Sequence, residues 1–448
     1  MAFLRKMLVP VLVLVVLAAA AAISSAAPKQ LTVTTQTPAN GQTVSGSITW
    51  QVSVSGGVPT RVDFAIDGAL RWSQKSSPFL YGGTSGGLDT TTLSNGSHVL
   101  TATAYGAKGV QSGTSRVTVT VSNVAPPPST QAYWGAWIGS QLTGAQPPWD
   151  MSAVAKFEQM TGKPLSLLEF SSPFADCSTS PCSFYPFPWT PFNDIRAHGA
   201  IPFFSWGSES IPNSLNQPDF QLADVINGTY DSYIREFAIR AREWNHPFFL
   251  RFNWEMNGNW FSWSERTNGN QPGEYVAAWR HVHDVFASVG ANDASWVWCP
   301  YVDPNSTLQS LTSLYPGDAY VDWTCLDGYN WGPNATPPRT WRSFNYLFNS
   351  TYHQIVDTIA PSKPMVVGET ASTESGGSKA GWIHNMFESL PTEFPKIRGL
   401  IWFEKPDGMD WPLESSESAL SSFATGIQSS RYVANSYGGI SANPIPAP

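Results

Sequence analysis

From Tyr133 onward, eight short apolar or aromatic runs recur along the chain: YWGAWIG, LSLLEF, AIPFFSW, FFLRFNWEMN, SWVWCPY, CLDGYNW, PMVVGET and GLIWFEKP. Between most of them lie stretches whose apolar residues return every three or four positions, such as YDSYIREFAIRAREW and GEYVAAWRHVHDVFASVG. In the second, Tyr275, Ala278, Trp279, Val282, Val285 and Phe286 fall on one helical face, and Gly290 supplies a stop. Eight strand-like runs alternating with helix or loop over ~300 residues predict an α/β fold, a (β/α)8 TIM barrel. A doubly wound open sheet is the competing arrangement. It usually shows a glycine-rich first turn or a phosphate loop, and the sequence has neither.

The region before the barrel has a different texture. Over residues 31–123, segments such as SITWQVSVS, TRVDFAIDG, SHVLTATAY and SRVTVTVS alternate apolar with polar residues, separated by the turn signals Asn40-Gly41, Asp67-Gly68 and Asn95-Gly96. This predicts a small all-β sandwich. Its run PANGQTVSG…VDFAIDG…LDTTTLSNGSHVLTATAY resembles the bacterial Ig-like domains attached to secreted glycosidases. A spacer or weak adhesion role is expected of it. The prolines of VAPPPST make 124–130 an extended linker. The barrel domain is then expected over 131–432, with a C-terminal tail over 433–448.

At the N-terminus Arg5 and Lys6 precede the apolar stretch MLVPVLVLVVLAAAAAI, and SSAAP offers small-residue cleavage positions. Residues 1–27 therefore read as a signal peptide, the mature protein as secreted, and no later stretch reaches the ~18 apolar residues of a membrane span. The formal net charge of −8 argues against nucleic acid or an anionic membrane surface as partner. Export permits disulfides, and there are four cysteines. Cys177 and Cys182 frame the short loop CSTSPC, which leaves Cys299 and Cys325 to pair with each other. Their spacing matches no zinc pattern and the histidines are scattered, so no metal and no cofactor is expected. His281 and His283, two apart on a helix, share no face and receive no role.

A barrel carries its chemistry at the C-terminal ends of its strands. There Glu255 closes the fourth run and Glu369 the seventh. Two carboxyl groups ~5–5.5 Å apart suit retaining glycoside hydrolysis, one attacking while the other delivers and later removes a proton. The aromatic residues around Glu255 supply the low polarity that favours a neutral acid.

RFNWEMNGNWFSW resembles the signature of glycoside hydrolase family 26, in which Arg-x-x-His-Glu-Met-Asn-Gly carries the acid/base glutamate, and VGETAS is similar to that family's nucleophile strand. The resemblance spans 133 to about 430 and implies a retaining barrel enzyme, most often an endo-β-1,4-mannanase, with mixed-linkage β-glucanases and β-1,3-xylanases as variants. It implies Glu255 as acid/base, Glu369 as nucleophile and Arg251 beside the nucleophile. It also implies Tyr329 as a hydrogen-bond donor to the nucleophile and Trp402 as the aromatic floor under the reacting sugar. Trp254 stands where the family usually has histidine, which weakens the transfer of mannan specificity.

The remaining aromatics divide by position. Trp134, Trp137, Trp296 and Trp298 lie within strands and are expected in the core. Trp206, Trp260, Trp263 and Trp331 lie at strand ends or in the following loops, where they can stack on sugars. Among rival carboxylates, Glu169 and Glu404 are expected to be structural or substrate-positioning, and Glu209 and Glu374 solvated. The combined expectation is a secreted, monomeric endo-β-glycanase acting on a β-linked polysaccharide, with β-1,4-mannan or glucomannan leading over β-1,3-1,4-glucan and β-1,3-xylan. A non-catalytic polysaccharide-binding barrel is the alternative. A Ser-His-Asp esterase is disfavoured because the barrel segment holds no Gly-x-Ser-x-Gly elbow.

Overall fold

The computed structural model describes residues 30–83, 87–107, 112–123, 131–435, 437–440 and 443–448. The predicted signal peptide and the 124–130 linker lie outside them. The chain divides into two compact units, Met1–Pro128 and Ser129–Pro448.

The first unit is built of antiparallel strands. A three-stranded sheet (Thr32–Thr37, Gln51–Ser55, Phe79–Leu80) and a five-stranded sheet dominated by Pro59–Ile66, Gly96–Gly106 and Gly113–Val121 enclose the core. The alternation seen in the sequence becomes burial: Val62, Phe64, Leu100, Ala102 and Ala104 point inward around the buried Trp50. Trp50 packs edge-on to Phe64 at 4.9 Å and stacks on Tyr81 at 5.5 Å. At the hairpin after Ile66, Asp67 and Gly68 both adopt positive φ, +52° and +83°. That is the twist a two-residue hairpin turn needs and the reason Asp-Gly marks it.

The second unit is a closed parallel barrel. Its strands are β1 (Tyr133–Ile138), β2 (Leu167–Asp176), β3 (Ile201–Ile211), β4 (Phe248–Phe252), β5 (Ala294–Trp298), β6 (Trp323–Asn330), β7 (Met365–Ser372) and β8 (Ile397–Glu404). Each pairs with the next, and β1 pairs with both β8 and β2, which closes the ring. All eight apolar runs of the sequence become these strands. Around them lie α1 (Met151–Thr161), α2 (Trp189–His198), α3 (Leu222–Ile226), α4 (Asp231–Trp244), α5 (Glu274–Ser288), α6 (Phe344–Gln354), α7 (Lys379–Thr392) and α8 (Glu417–Ile427). The six apolar positions read from the α5 sequence are the six that it buries.

Two local features shape the site. The β5–β6 connection holds only a short 3-10 turn, Leu311–Ser313, in place of a helix. In β7, Leu326 of β6 faces Val367 and Asp327 faces Glu369, so Gly368 is an extra residue. The β7–β8 register also shifts there, between Val367 and Thr370. A bulge of this kind re-aims the next side chain. At Gly368 a Cβ would collide with Cys325 Sγ and Asp327 Oδ1, so no larger residue fits.

The C-terminal residues belong to this unit: Ile445 is buried, and its carbonyl accepts the indole N–H of Trp323 at 2.7 Å. Both expected disulfides, Cys177–Cys182 and Cys299–Cys325, are present. Among the described residues no helix is long and apolar enough to cross a membrane.

Candidate active site

The C-terminal ends of the strands surround an open cleft of about 1110 Å³, lined by Glu255 and Glu369 together with a wall of aromatic side chains. It slightly exceeds the ~300–1,000 Å³ usual for small-molecule pockets.

Glu255 lies three residues past the end of β4, in a tight turn and not on the strand itself. Both Asn253 (φ +45°) and Glu255 (φ +52°) take the left-handed conformation, which non-glycine residues seldom adopt unless the surroundings enforce it. Here they do. The Asn253 side chain accepts from the Ser208 amide and donates to its hydroxyl, both at 2.8 Å. The Glu255 amide donates to the Cys299 carbonyl at 2.6 Å. Asn257 exchanges two 2.8 Å hydrogen bonds with the backbone of Tyr301. The Asn-Trp-Glu-Met-Asn-Gly segment is thereby clamped to the ends of β3 and β5.

The Glu255 carboxyl is buried. Loss of solvent, with the Glu369 carboxylate nearby, pushes its pKa up to about 8, opposed by a hydrogen bond from Trp260 and by the Arg251 charge. The indole N–H of Trp260 donates to Glu255 Oε2 at 2.5 Å. A carboxyl in this setting can hold a proton at neutral pH and release it to a basic oxygen.

Glu369 sits at the β7 bulge. Its Oε1 accepts from Arg251 Nη2 at 2.5 Å, and its Oε2 accepts from the Tyr329 hydroxyl. Arg251, fully buried, also donates to Glu169 at 2.5 Å, to Asp327 at 2.8 Å and to the Ser205 hydroxyl at 2.7 Å. One guanidinium therefore serves three carboxyl groups on β2, β6 and β7. Burial pushes the Glu169 pKa up to about 8 and that of Asp327 well above the usual carboxylate range, both resisted by Arg251. The arrangement offers Glu369 two donors, one to each oxygen, which fits an anionic group lining the cleft.

The structure brings Glu255, Glu369, Arg251, Trp254, Trp260, Tyr329 and Trp331 together, all but Arg251 lining the cleft. Three expected aromatics are elsewhere. Trp402 is fully buried and faces the helix layer, 5.4 Å from Phe423 and 6.3 Å from Trp382. The next residue, Phe403, takes the cleft position, 5.5 Å from the Tyr329 ring. Trp206 also faces outward, stacked on Phe237 at 4.2 Å. Trp263 is buried behind the cleft wall, stacked on Phe261 at 4.3 Å and donating to the Trp254 carbonyl. The cause in the strands is alternation: successive side chains point to opposite faces, so one position separates floor from core.

Other residues were missed in the opposite sense. Trp137 lines the cleft although its place in β1 suggested core. Glu209 is no solvated loop residue: it is buried at the cleft wall, and burial pushes its pKa up to about 7. Tyr301 and Trp411 lie in loops beyond β5 and β8 and also line the cleft. Trp411 packs 5.3 Å from Tyr329 and 5.1 Å from Trp331. Asp327, one charge within the buried run CLDGYN, was legible only as an oddity in an apolar strand. Glu404 is buried and caps the Leu413 amide, while Glu374 is tied to Ser416.

Cys299, Cys325 and Asp327 form the one cluster of possible metal-ligand atoms among the described residues. Both sulfurs are committed to the disulfide.

Comparison with known proteins places these features. Residues 198–369 match the model of glycosyl hydrolase family 26, and residues 32–102 that of a bacterial Ig domain. The chain is 32% identical over 300 residues to Endoglucanase H of Acetivibrio thermocellus, covering 65% of this chain and 30% of that protein. It is 28% identical over 160 residues to mannan endo-1,4-beta-mannosidase A and B of Caldalkalibacillus mannanilyticus, covering 34% and 27%. The chain thus spans less than a third of the length of either relative. The Bacillus subtilis mannanase man26 shares the fold, with TM-score 0.50 and 16% identity over 72% of this chain and 91% of that one.

Proposed function

We propose, from the match of residues 198–369 to the glycosyl hydrolase family 26 model, that the chain is a family 26 enzyme, a secreted endo-β-glycanase that cleaves with retention of anomeric configuration. Glu255 donates its proton to the glycosidic oxygen as Glu369 attacks the anomeric carbon and the leaving chain departs. Glu255, now a carboxylate, takes a proton from water, which displaces Glu369 and regenerates both groups. The observation that carries this reading is the contrast between the two carboxyls. One is dehydrated, with a pKa pushed up to about 8. The other is held by a guanidinium and a phenol.

For the substrate, a β-linked glucan is placed ahead of mannan. Trp254 lines the cleft where the family usually has a histidine, which weakens the transfer of mannan specificity, and the similarity that extends over 300 residues is to an endoglucanase. Mannan or glucomannan is the second reading, supported by the similarity to a mannosidase. The open aromatic cleft suits an internal stretch of polymer in either case.

The test is reducing-sugar release by the mature protein from mixed-linkage β-glucan, glucomannan, galactomannan and β-1,3-xylan, with the anomer first formed followed by proton NMR. Release with initial β-anomer supports the reading and names the polymer. Initial α-anomer would overturn retention. Binding of these polymers without release from any of them would favour a non-catalytic binding protein.

A further inference from the structure

The Cys299–Cys325 disulfide lies where the supports of the two carboxyl groups meet. We propose that it is a positioning element of the active site, fixing the backbone acceptor of Glu255 and the wall behind Arg251 and Asp327. This rests on the glycosidase reading above.

The barrel is thinly held at this seam. The β5–β6 ladder has two paired positions, Val297 with Trp323 and Trp298 with Thr324, and no α-helix covers the connection. Cys299 and Cys325 are the next pair in register, so the covalent bond takes over where the ladder stops. Beyond it the backbones pair once more at the Tyr301–Asp327 bridge.

Each neighbour of this bond belongs to the site. The Cys299 carbonyl accepts the Glu255 amide at 2.6 Å, one of the ties that hold the turn in its left-handed conformation. Cys299 Sγ lies 3.2 Å from Asp327 Oδ1 and 3.8 Å from Arg251 Nη1. A bridged sulfur carries no proton and cannot donate to Asp327, so the charged partner of that carboxyl is Arg251. On the other side, Cys325 Sγ fills the space that a side chain at position 368 would need, beside the bulge that aims Glu369. Both cysteines are fully buried, which suits a permanent brace and not a switch opened by passing thiols. Cys177–Cys182, by contrast, closes a loop just past the C-terminal end of β2, where the Cys177 amide donates to the Ile211 carbonyl and not to either carboxyl or to Arg251.

The test compares Cys299→Ala/Cys325→Ala, Cys299→Ser/Cys325→Ser and the control Cys177→Ala/Cys182→Ala in the full chain. Each is assayed well below its melting midpoint on the polymer that the wild type cleaves. For the Cys299/Cys325 pairs kcat should fall about 10- to 100-fold, as expected for a reacting group displaced by about an ångström. KM should stay within about twofold, because the cleft wall is unchanged. The alkaline limb of the pH profile should also move, since the Glu255 environment changes. The control should match the wild type in all three. A folded Cys299/Cys325 variant with wild-type kcat and pH profile overturns the proposal, whatever its melting temperature. So does failure of both pairs to fold, which would make the bond a stabiliser alone. A wild type that cleaves no polymer overturns the glycosidase reading, and this one with it.

Discussion

Trp260 donates its indole N–H to Oε2 of Glu255 across 2.5 Å, so the side chain expected as a sugar platform is also a partner of the proposed proton donor. The bond favours the ionised form of Glu255, while burial and the Glu369 charge favour the neutral one. Their balance sets the pH at which the acid loses its proton.

Trp260→Phe keeps an aromatic ring and removes the donor. Glu255 then loses a contact that stabilises its anion, its pKa rises, and the alkaline limb of kcat/KM moves to higher pH. A pH–rate profile from 5 to 10 reads this directly. A limb that stays in place or moves down would contradict the balance described.

The two carboxyl roles separate with a substrate whose leaving group needs no proton, such as an activated aryl β-glycoside. Glu255→Ala should lose about 10²- to 10⁴-fold on polymer and retain much of its first-step rate on the aryl substrate. Glu369→Ala should lose both. Equal losses in both variants on both substrates would sink the assignment.

Arg251 neutralises a cluster that is otherwise buried carboxyl groups. Removing one partner from such a buried set costs about 3–5 kcal/mol, so Arg251→Met should destabilise by that order in denaturant titrations at pH 8. The deficit should be smaller at pH 5 than at pH 8, because Glu169, pushed up to about 8 by burial, is protonated at pH 5 and needs no counter-charge. A deficit independent of pH would argue that packing alone is lost.

Trp331→Ala and Trp402→Ala should behave differently. Trp331 is half-buried on the cleft wall, with the Arg339 guanidinium 4.8 Å from its ring. Its loss should raise KM several-fold to about thirtyfold, the equivalent of ~1–2 kcal/mol of apolar burial. Trp402 is core, and its loss should cost about 3–5 kcal/mol of stability with KM unchanged in whatever remains folded. Reversed effects would restore Trp402 to the floor.

Stability should fall as pH rises from about 5 to 8. Glu169, Glu209 and Glu255 have folded pKa values raised by burial to about 8, 7 and 8, above the 4.5 of an unfolded glutamate. The native state therefore holds protons that the unfolded chain has released, and the difference is lost through that window. His98 and His198, raised by hydrogen bonds to Asp67 and Glu158, add in the same direction. The lowered Asp67, Asp89, Asp150 and Asp176 act only at the acidic end. Thermal melts at pH 5 and pH 8 check the sign.

The barrel was legible because its strands are buried on both faces and so appear as near-continuous apolar runs, separated by helices with clean periodicity. The same property hid the site's finer structure. In a run such as GLIWFEKP every residue is apolar until the end, so nothing marks Phe403 and not Trp402 as the inward one. The β7 bulge, an insertion visible only against its neighbours, is equally silent in VVGETAS. Glu255 and Glu369 could be read because charges interrupt those runs. Asp327 interrupts its run too, but its meaning depends on Arg251, 76 positions away in sequence and in contact only once the barrel closes. Trp137, Tyr301 and Trp411 required knowing which loops fold over the mouth.

Glu255 combines positive φ, a dehydrated carboxyl and a neighbouring like charge, each of which a fold tolerates only when something else compensates. On the proposed role of Glu255, position 255 is therefore where folding and turnover oppose each other. Glycine or asparagine there would ease the backbone and leave no acid to bury, giving a tougher but inert protein.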